Sequence, residues 1–287
     1  MVRLKFIICA AVLMTCSCKG SVDKDHRSDN EASPYPIVSY CSAIDYSDVV
    51  ALHDEELMTG RMVELTKLLL QSDSLSAQAG LSIFFEGIKR DSVALELSTR
   101  LADLYLNNPA SPVRNEDKYI IFLTTLLKND SIPSLVRERE TERLGIASLN
   151  RPGSVASEFI FLDRHGKSQS LHSLSCDNLL LVFYDPECTH CADILNTLAE
   201  DQIVNSAIND GSLTVVAVYA EGKEDVWSVT KDELPANWIV AYDLSNIIDN
   251  TLYDLPAMPT LYLLDTDKRV LLKDPDVDMV RHLIADL

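Results

Sequence analysis

The residues with the clearest capacity for chemistry lie in one heptapeptide, Asp185-Pro186-Glu187-Cys188-Thr189-His190-Cys191. Two cysteines separated by two residues, at a strand-to-helix junction, suit reversible dithiol–disulfide chemistry. Pro186 favours leaving the strand and entering a helix. Cys188 then falls at the first helical turn, where unpaired N–H groups and the helix dipole stabilise a thiolate. His190, when protonated, adds a second positive influence. Cys191 lies one turn on and opens the stripe Cys191, Ile194, Leu195, Leu198, the core-facing side of that helix. Spacing alone therefore makes Cys188 the exposed attacking sulfur and Cys191 the shielded resolving sulfur. Half a zinc site and a permanent structural disulfide are competing readings of such a pair. No second CxxC or closely spaced His pair follows it, so no metal site is expected.

The elements that must position this pair alternate between strand and helix after the turn cluster Asn150-Arg151-Pro152-Gly153. Phe159-Ile160-Phe161-Leu162 leads into Asp163-Arg164-His165-Gly166, a hairpin turn. Leu179–Tyr184 and Leu213–Tyr219 are continuous apolar runs, the mark of central parallel strands covered on both faces. Thr260–Leu264 and Val270–Leu272 can pair as a terminal hairpin, and 194–199 and 277–284 read as helices. This is an α/β layer fold. His165 and His172 flank the first hairpin and are expected at the surface; Trp227 and Trp238 are expected in the core or at its rim.

Residues 41–148 read as an all-α domain. Four stripes recur at helical spacing: Met58, Met62, Leu65, Leu69; Leu81, Phe84, Phe85, Ile88; Val93, Leu97, Leu101, Leu104; and Tyr119, Leu123, Leu126, Leu127. The alternating charges of Arg137-Glu138-Arg139-Glu140 suit an exposed helix face. No His/Cys/Asp cluster at ligand spacing appears in this region. Cys41 and Cys176 lack partners close in sequence and read as separate, partly buried thiols, with an interdomain disulfide as the alternative.

The first 18 residues carry Arg3 and Lys5 before a short apolar run from Phe6 to Met14, too short to span a bilayer. They resemble a bacterial lipoprotein signal. That resemblance places the lipid on Cys18, with Cys16 as the alternative, and implies export into an oxidising compartment. Lys19 stands where an aspartate commonly marks inner-membrane retention, which implies an outer-membrane location facing the periplasm. Residues 19–40 are expected to be a polar tether. The chain has 287 residues, 47% of them hydrophobic and 24% charged, an ordinary globular balance that excludes a mostly disordered protein. Lys+Arg is 25 and Asp+Glu 44, so the net charge of −19 disfavours nucleic acid as a partner.

Residues 150–287 resemble thioredoxin-fold proteins, in particular the TlpA/ResA branch of exported thiol-disulfide oxidoreductases. The resemblance rests on Asn150–Phe159, on Leu181–Cys191 and on Met258-Pro259-Thr260 before an apolar strand. It implies a cis Met258–Pro259 bond opposite the two sulfurs. It also implies a substrate groove at Met258, Pro259 and Thr260, and no dissociable cofactor. The whole chain resembles thioredoxin-like lipoproteins of Bacteroidetes with an N-terminal helical domain of unknown function. Asn107-Asn108-Pro109 and Arg114-Asn115-Glu116-Asp117 are also typical of that group. Two positions depart from thioredoxins: Glu187 replaces a Trp beside the first cysteine, and Val182 replaces a buried acid. A carboxylate at Glu187 opposes a thiolate at Cys188. Thr189-His190 between the cysteines is similar to protein disulfide isomerase and DsbA in its histidine, which implies a poise more oxidising than thioredoxin's roughly −270 mV. The expected function is a membrane-anchored periplasmic thiol-disulfide oxidoreductase acting on protein thiols and disulfides and recycled by an unidentified redox partner. The alternative is a redox-regulated binding lipoprotein whose thioredoxin domain does not turn over.

Overall fold

The computed structural model describes residues 35–286; the expected signal segment, the lipid-attachment cysteines Cys18 and Cys16, and the tether up to residue 34 lie outside the described residues. Helices occupy the first half: α1 (Pro36–Ala43), α2 (Val49–His53), α3 (Glu55–Gln71), α4 (Ser74–Ile88), α5 (Ser92–Ala102), α6 (Glu116–Leu127) and α7 (Ser134–Ala147). A π-helical turn, Asp103–Asn107, extends α5. Acidic and amide side chains begin these helices. Asp48, Asp54, Asp73, Asp91 and Asn115 each accept a backbone N–H of the first turn, so part of the acidic excess sits where the helix dipole favours it.

Three of the four expected stripes point inward with minor departures: Met58 to Leu69, Leu81 to Ile88, and Tyr119 to Leu126 are buried, Leu127 only partly. The third is turned. Ala94, Leu95, Ser98, Leu101 and Ala102 form the buried face of α5, while Val93 and Leu104 are exposed. The small residues Ala94 and Ser98 carry that contact, and hydrophobicity alone pointed to their larger neighbours. The expected tether is also too long at its C-terminal end, because α1 starts at Pro36 and Ile37 is fully buried. Its side chain lies so close to Gly80 that a Cβ there would meet Ile37 Cγ1 at 2.8 Å. The Arg137–Glu140 face is a further correction. Glu140 is fully buried and paired with Arg139 at 2.7 Å and Arg143 at 3.4 Å. Sign alternation showed that ion pairs form but not that one carboxylate lies inside.

The second half builds one seven-stranded sheet from β1 (Ile160–Asp163), β2 (Ser168–Ser170), β3 (Asn178–Tyr184), β4 (Leu213–Tyr219), β5 (Ile239–Asp243), β6 (Thr260–Leu264) and β7 (Val270–Lys273). The order is β2-β1-β5-β4-β3-β6-β7. β3, β4 and β5 run parallel at the centre; β1 with β2 and β6 with β7 form antiparallel wings. Helices α8 (Thr189–Glu200), α9 (Gln202–Asp210), α10 (Glu224–Thr230) and α11 (Val277–Ala285) complete the region. Leu180, Val182 and Tyr184 face α8, α9 and α11. Leu179, Leu181 and Phe183 face an aromatic layer containing Phe159, Tyr253 and Tyr262. The sequence reading lacked β5, α9 and α10. β5 is short and follows a Trp-bearing loop, and its strand state comes from pairing with β1 and β4.

The described residues form one compact unit. The two halves are joined through buried charge. Lys273, whose side chain is 3% exposed, pairs with Glu116 at 2.6 Å and Asp254 at 3.1 Å, and donates to the Ala147 carbonyl at 3.0 Å. Arg114 pairs with Asp274, and Arg151 with Asp117. Cys41 lies in the helical core and Cys176 beside the aromatic layer of the sheet, both as free thiols.

Candidate active site

β3 ends at Tyr184, and Asp185-Pro186-Glu187 turns the chain into α8. Cys188 is the residue capping that helix, just before its first turn. Its Sγ accepts the Cys191 N–H at 3.4 Å and donates as a thiol to the Met258 carbonyl at 3.8 Å. It is half-buried. Cys191 is fully buried beneath it, packed with Val182 and Leu195, and its Sγ accepts the Asp185 N–H at 3.5 Å. Burial pushes the Cys191 thiol up to about 12. The Asp185 N–H pulls the other way, and the hydrogen bond with Cys188 together with the charges of Cys188 and Asp185 adds to the rise. Among the described residues Cys41, Cys176, Cys188 and Cys191 are free thiols, both members of the pair included.

The Met258–Pro259 peptide bond is cis, as the resemblance implies, and it places the Met258 carbonyl against Cys188. Thr260, fully buried, opens β6 and pairs with Phe183 of β3. Thr189 and His190 are exposed on the first turn of α8. Glu187 is exposed and lies 3.6 Å from Lys223, which also pairs with Glu221 at 2.9 Å. These carboxylates raise the lysine's pKa, the hydrogen bond to Glu221 most of all. The ammonium thus offsets the carboxylate beside Cys188. Sequence reasoning missed Lys223 because 35 residues intervene between it and Glu187, and no motif links them. Val182 is apolar and buried as expected.

The sheet order, the dithiol at the mouth of its central strand and the cis-proline facing it define a thioredoxin fold. The chain is similar to thioredoxin-like proteins and carries a helical domain of unknown function ahead of that fold. The family described as domain of unknown function DUF5106 matches residues 27–150. A thioredoxin-like protein from Bacteroides caccae is similar at 29% identity, with 91% of this chain and 97% of that chain covered and a TM-score of 0.76. The C-terminal domain of an uncharacterized protein from Bacteroides fragilis is 32% identical, covering 47% of this chain and 98% of that one at a TM-score of 0.46. A thiol:disulfide interchange protein from Bacteroides sp. is 20% identical over 48% of this chain and 90% of that one, at a TM-score of 0.42. No curated protein matches the sequence.

Proposed function

We propose that the protein is a lipid-anchored thiol-disulfide oxidoreductase of the cell envelope that exchanges disulfides with protein substrates. The observation that carries this reading is the asymmetry of the pair: one accessible sulfur at a helix start against the Met258 carbonyl, and one buried sulfur a turn below. In the reducing direction the Cys188 thiolate attacks a substrate disulfide, forming a mixed disulfide and expelling the first substrate thiolate. Cys191 then loses its proton and attacks Cys188 Sγ. The second substrate thiolate leaves, the Cys188–Cys191 disulfide forms, and the substrate has gained two electrons. Oxidation of a dithiol substrate is the same sequence reversed. Thr189, His190 and Glu187 tune the attacking sulfur, and Met258, Pro259 and Thr260 shape the groove. The anchor is Cys18, and the location is the outer membrane facing the periplasm.

The test is a glutathione redox titration of the protein with thiol trapping and peptide mass analysis. A reversible Cys188–Cys191 transition is expected, and Cys188→Ser is expected to lower exchange by at least about 10³-fold. Cys191→Ser should accumulate mixed disulfides. A midpoint near about −270 mV indicates a reductase, and one near about −180 mV or above an oxidase or isomerase. Absence of reversible pairing, or turnover retained in Cys188→Ser, sinks the enzyme reading and leaves a redox-regulated binding module, which the apolar Val182 favours. Cys18→Ser is expected to release the protein from the membrane fraction.

A further inference from the structure

Beside the dithiol lies a cleft of about 490 Å³ with walls from both halves of the chain. Asn107, Asn108 and Ile146 from the helical half face Ile248, Pro256 and Met258 from the thioredoxin half. Met258 belongs to the dithiol site as well, since its carbonyl accepts from Cys188 at 3.8 Å. An extended polypeptide whose cysteine reaches Cys188 therefore has its flanking residues at this cleft, each residue advancing about 3.3 Å.

We propose that the cleft is a polypeptide-binding subsite in which the helical half holds an extended, apolar-flanked segment next to the substrate's cysteine. The chemistry of that cysteine rests on the reading of Cys188 given above; the binding does not. Three features support a peptide occupant. The first is the π-helical turn, closed by an Asn108 N–H to Asp103 carbonyl bond of 2.9 Å; such turns recur at functional sites. Asp103 Oδ1 accepts from Tyr119 Oη at 2.8 Å and from Asn107 Nδ2 at 3.0 Å, which fixes the Asn107 amide. Asn108 Oδ1 accepts from the Ala110 N–H at 2.8 Å. Among the described residues nothing donates to Asn107 Oδ1 or accepts from Asn108 Nδ2. One open acceptor and one open donor on adjacent residues match the N–H and C=O of an extended backbone.

The second feature is the opposite wall. Ile248 is 46% exposed and, with Ile146, Pro256 and Met258, offers an apolar floor for a side chain. The third is Thr251, a β-branched lining residue held at φ +48°. Left-handed backbone at such a residue costs energy and gathers at ligand clamps.

Fluorescence polarisation on the full chain tests this, with a labelled extended peptide in which serine replaces cysteine beside an apolar residue, so that no disulfide can form. Saturable binding is expected. Asn108→Trp, which fills the cleft mouth from an exposed turn, should weaken it by at least about tenfold. Asn108→Ala should weaken it by about threefold. Leu75→Trp, at a site 81% exposed and outside the cleft, should leave it unchanged. With the cysteine-bearing peptide supplied as its mixed disulfide with glutathione, the ratio of its exchange rate to that of bis(2-hydroxyethyl) disulfide should fall about tenfold in Asn108→Trp. No saturable binding by the unmodified protein, or equal binding by Asn108→Trp, overturns the subsite. If binding follows the expected pattern while neither disulfide is exchanged, the subsite stands and the catalytic reading of Cys188 falls.

Discussion

The two halves of the chain differ in how completely the polar groups inside them are paired. In the helical half Glu140 is fully buried yet paired with two arginines, and aspartates close the helix starts. In the thioredoxin half Tyr184 Oη, Tyr219 Oη, Trp227 Nε1 and Trp238 Nε1 are buried without a hydrogen-bond partner. Among the described residues the helical half, up to residue 150, holds no such atom. Buried polar groups are normally satisfied, and exceptions mark water, strain or chemistry. Tyr184 and Tyr219 lie on the sheet face that also packs Cys191. The helical half is thus settled internally, and what it leaves open, at Asn107 and Asn108, faces the other half.

The comparison is tested most sharply at the cysteines. Burial raises both Cys41 in the helical core and Cys191 under the dithiol to about 12. At pH 8 only about one in 10⁴ of such groups is a thiolate. Iodoacetamide at that pH should therefore label Cys188 while Cys41 and Cys191 stay unmodified by peptide mass analysis. Labelling of Cys191 at the rate of Cys188 would remove the asymmetry on which the mechanism stands.

The next effect concerns the junction between the halves. Lys273→Met leaves Glu116 and Asp254 without their buried cation and should cost about 3–5 kcal/mol in urea unfolding. A loss below about 1 kcal/mol would mean the halves are held by packing alone. Within the helical half, Glu140→Gln removes the charge that Arg139 and Arg143 face. Both arginines are about a third exposed, so a smaller cost of about 2 kcal/mol is expected from the same measurement.

The smallest effect is one of pH. Burial alone would raise Asp91, but the Ala94 N–H, His53 and the Val93 N–H hold its carboxyl below the ordinary value. Its stabilisation is present above about pH 4 and is lost as pH falls through the lowered folded value. Asp91→Asn should flatten the acid limb of stability by under about 1 kcal/mol. Glu116 runs the other way. Burial raises it despite Lys273, so its contribution is present below about pH 4.3 and is lost as pH rises through the raised folded value. Glu116→Gln should steepen the acid limb. Equal slopes for the two variants would contradict the contrast between a helix cap and a buried junction carboxylate.

Much of this was legible in the sequence. The apolar runs at 179–184 and 213–219 are central strands, and the stripes of α3, α4 and α6 are buried, because hydrophobic periodicity reports which face is inside. It misplaced α5, where small residues make the contact, and missed β5, whose strand state depends on partners far away in the chain.

The sequence by itself determined where the two thiols of the candidate site stand. Two thiols three positions apart at a helix start lie on one side of it, the apolar stripe Cys191, Leu195, Leu198 turns the second thiol toward the core, and an X–Pro bond is the cheap place for a cis peptide. Only the tertiary structure decided what surrounds them. The Lys223–Glu187 pair, the Lys273 junction and the Asn107–Met258 cleft join residues far apart in sequence. Such contacts follow from how whole elements pack, and no local spacing encodes them.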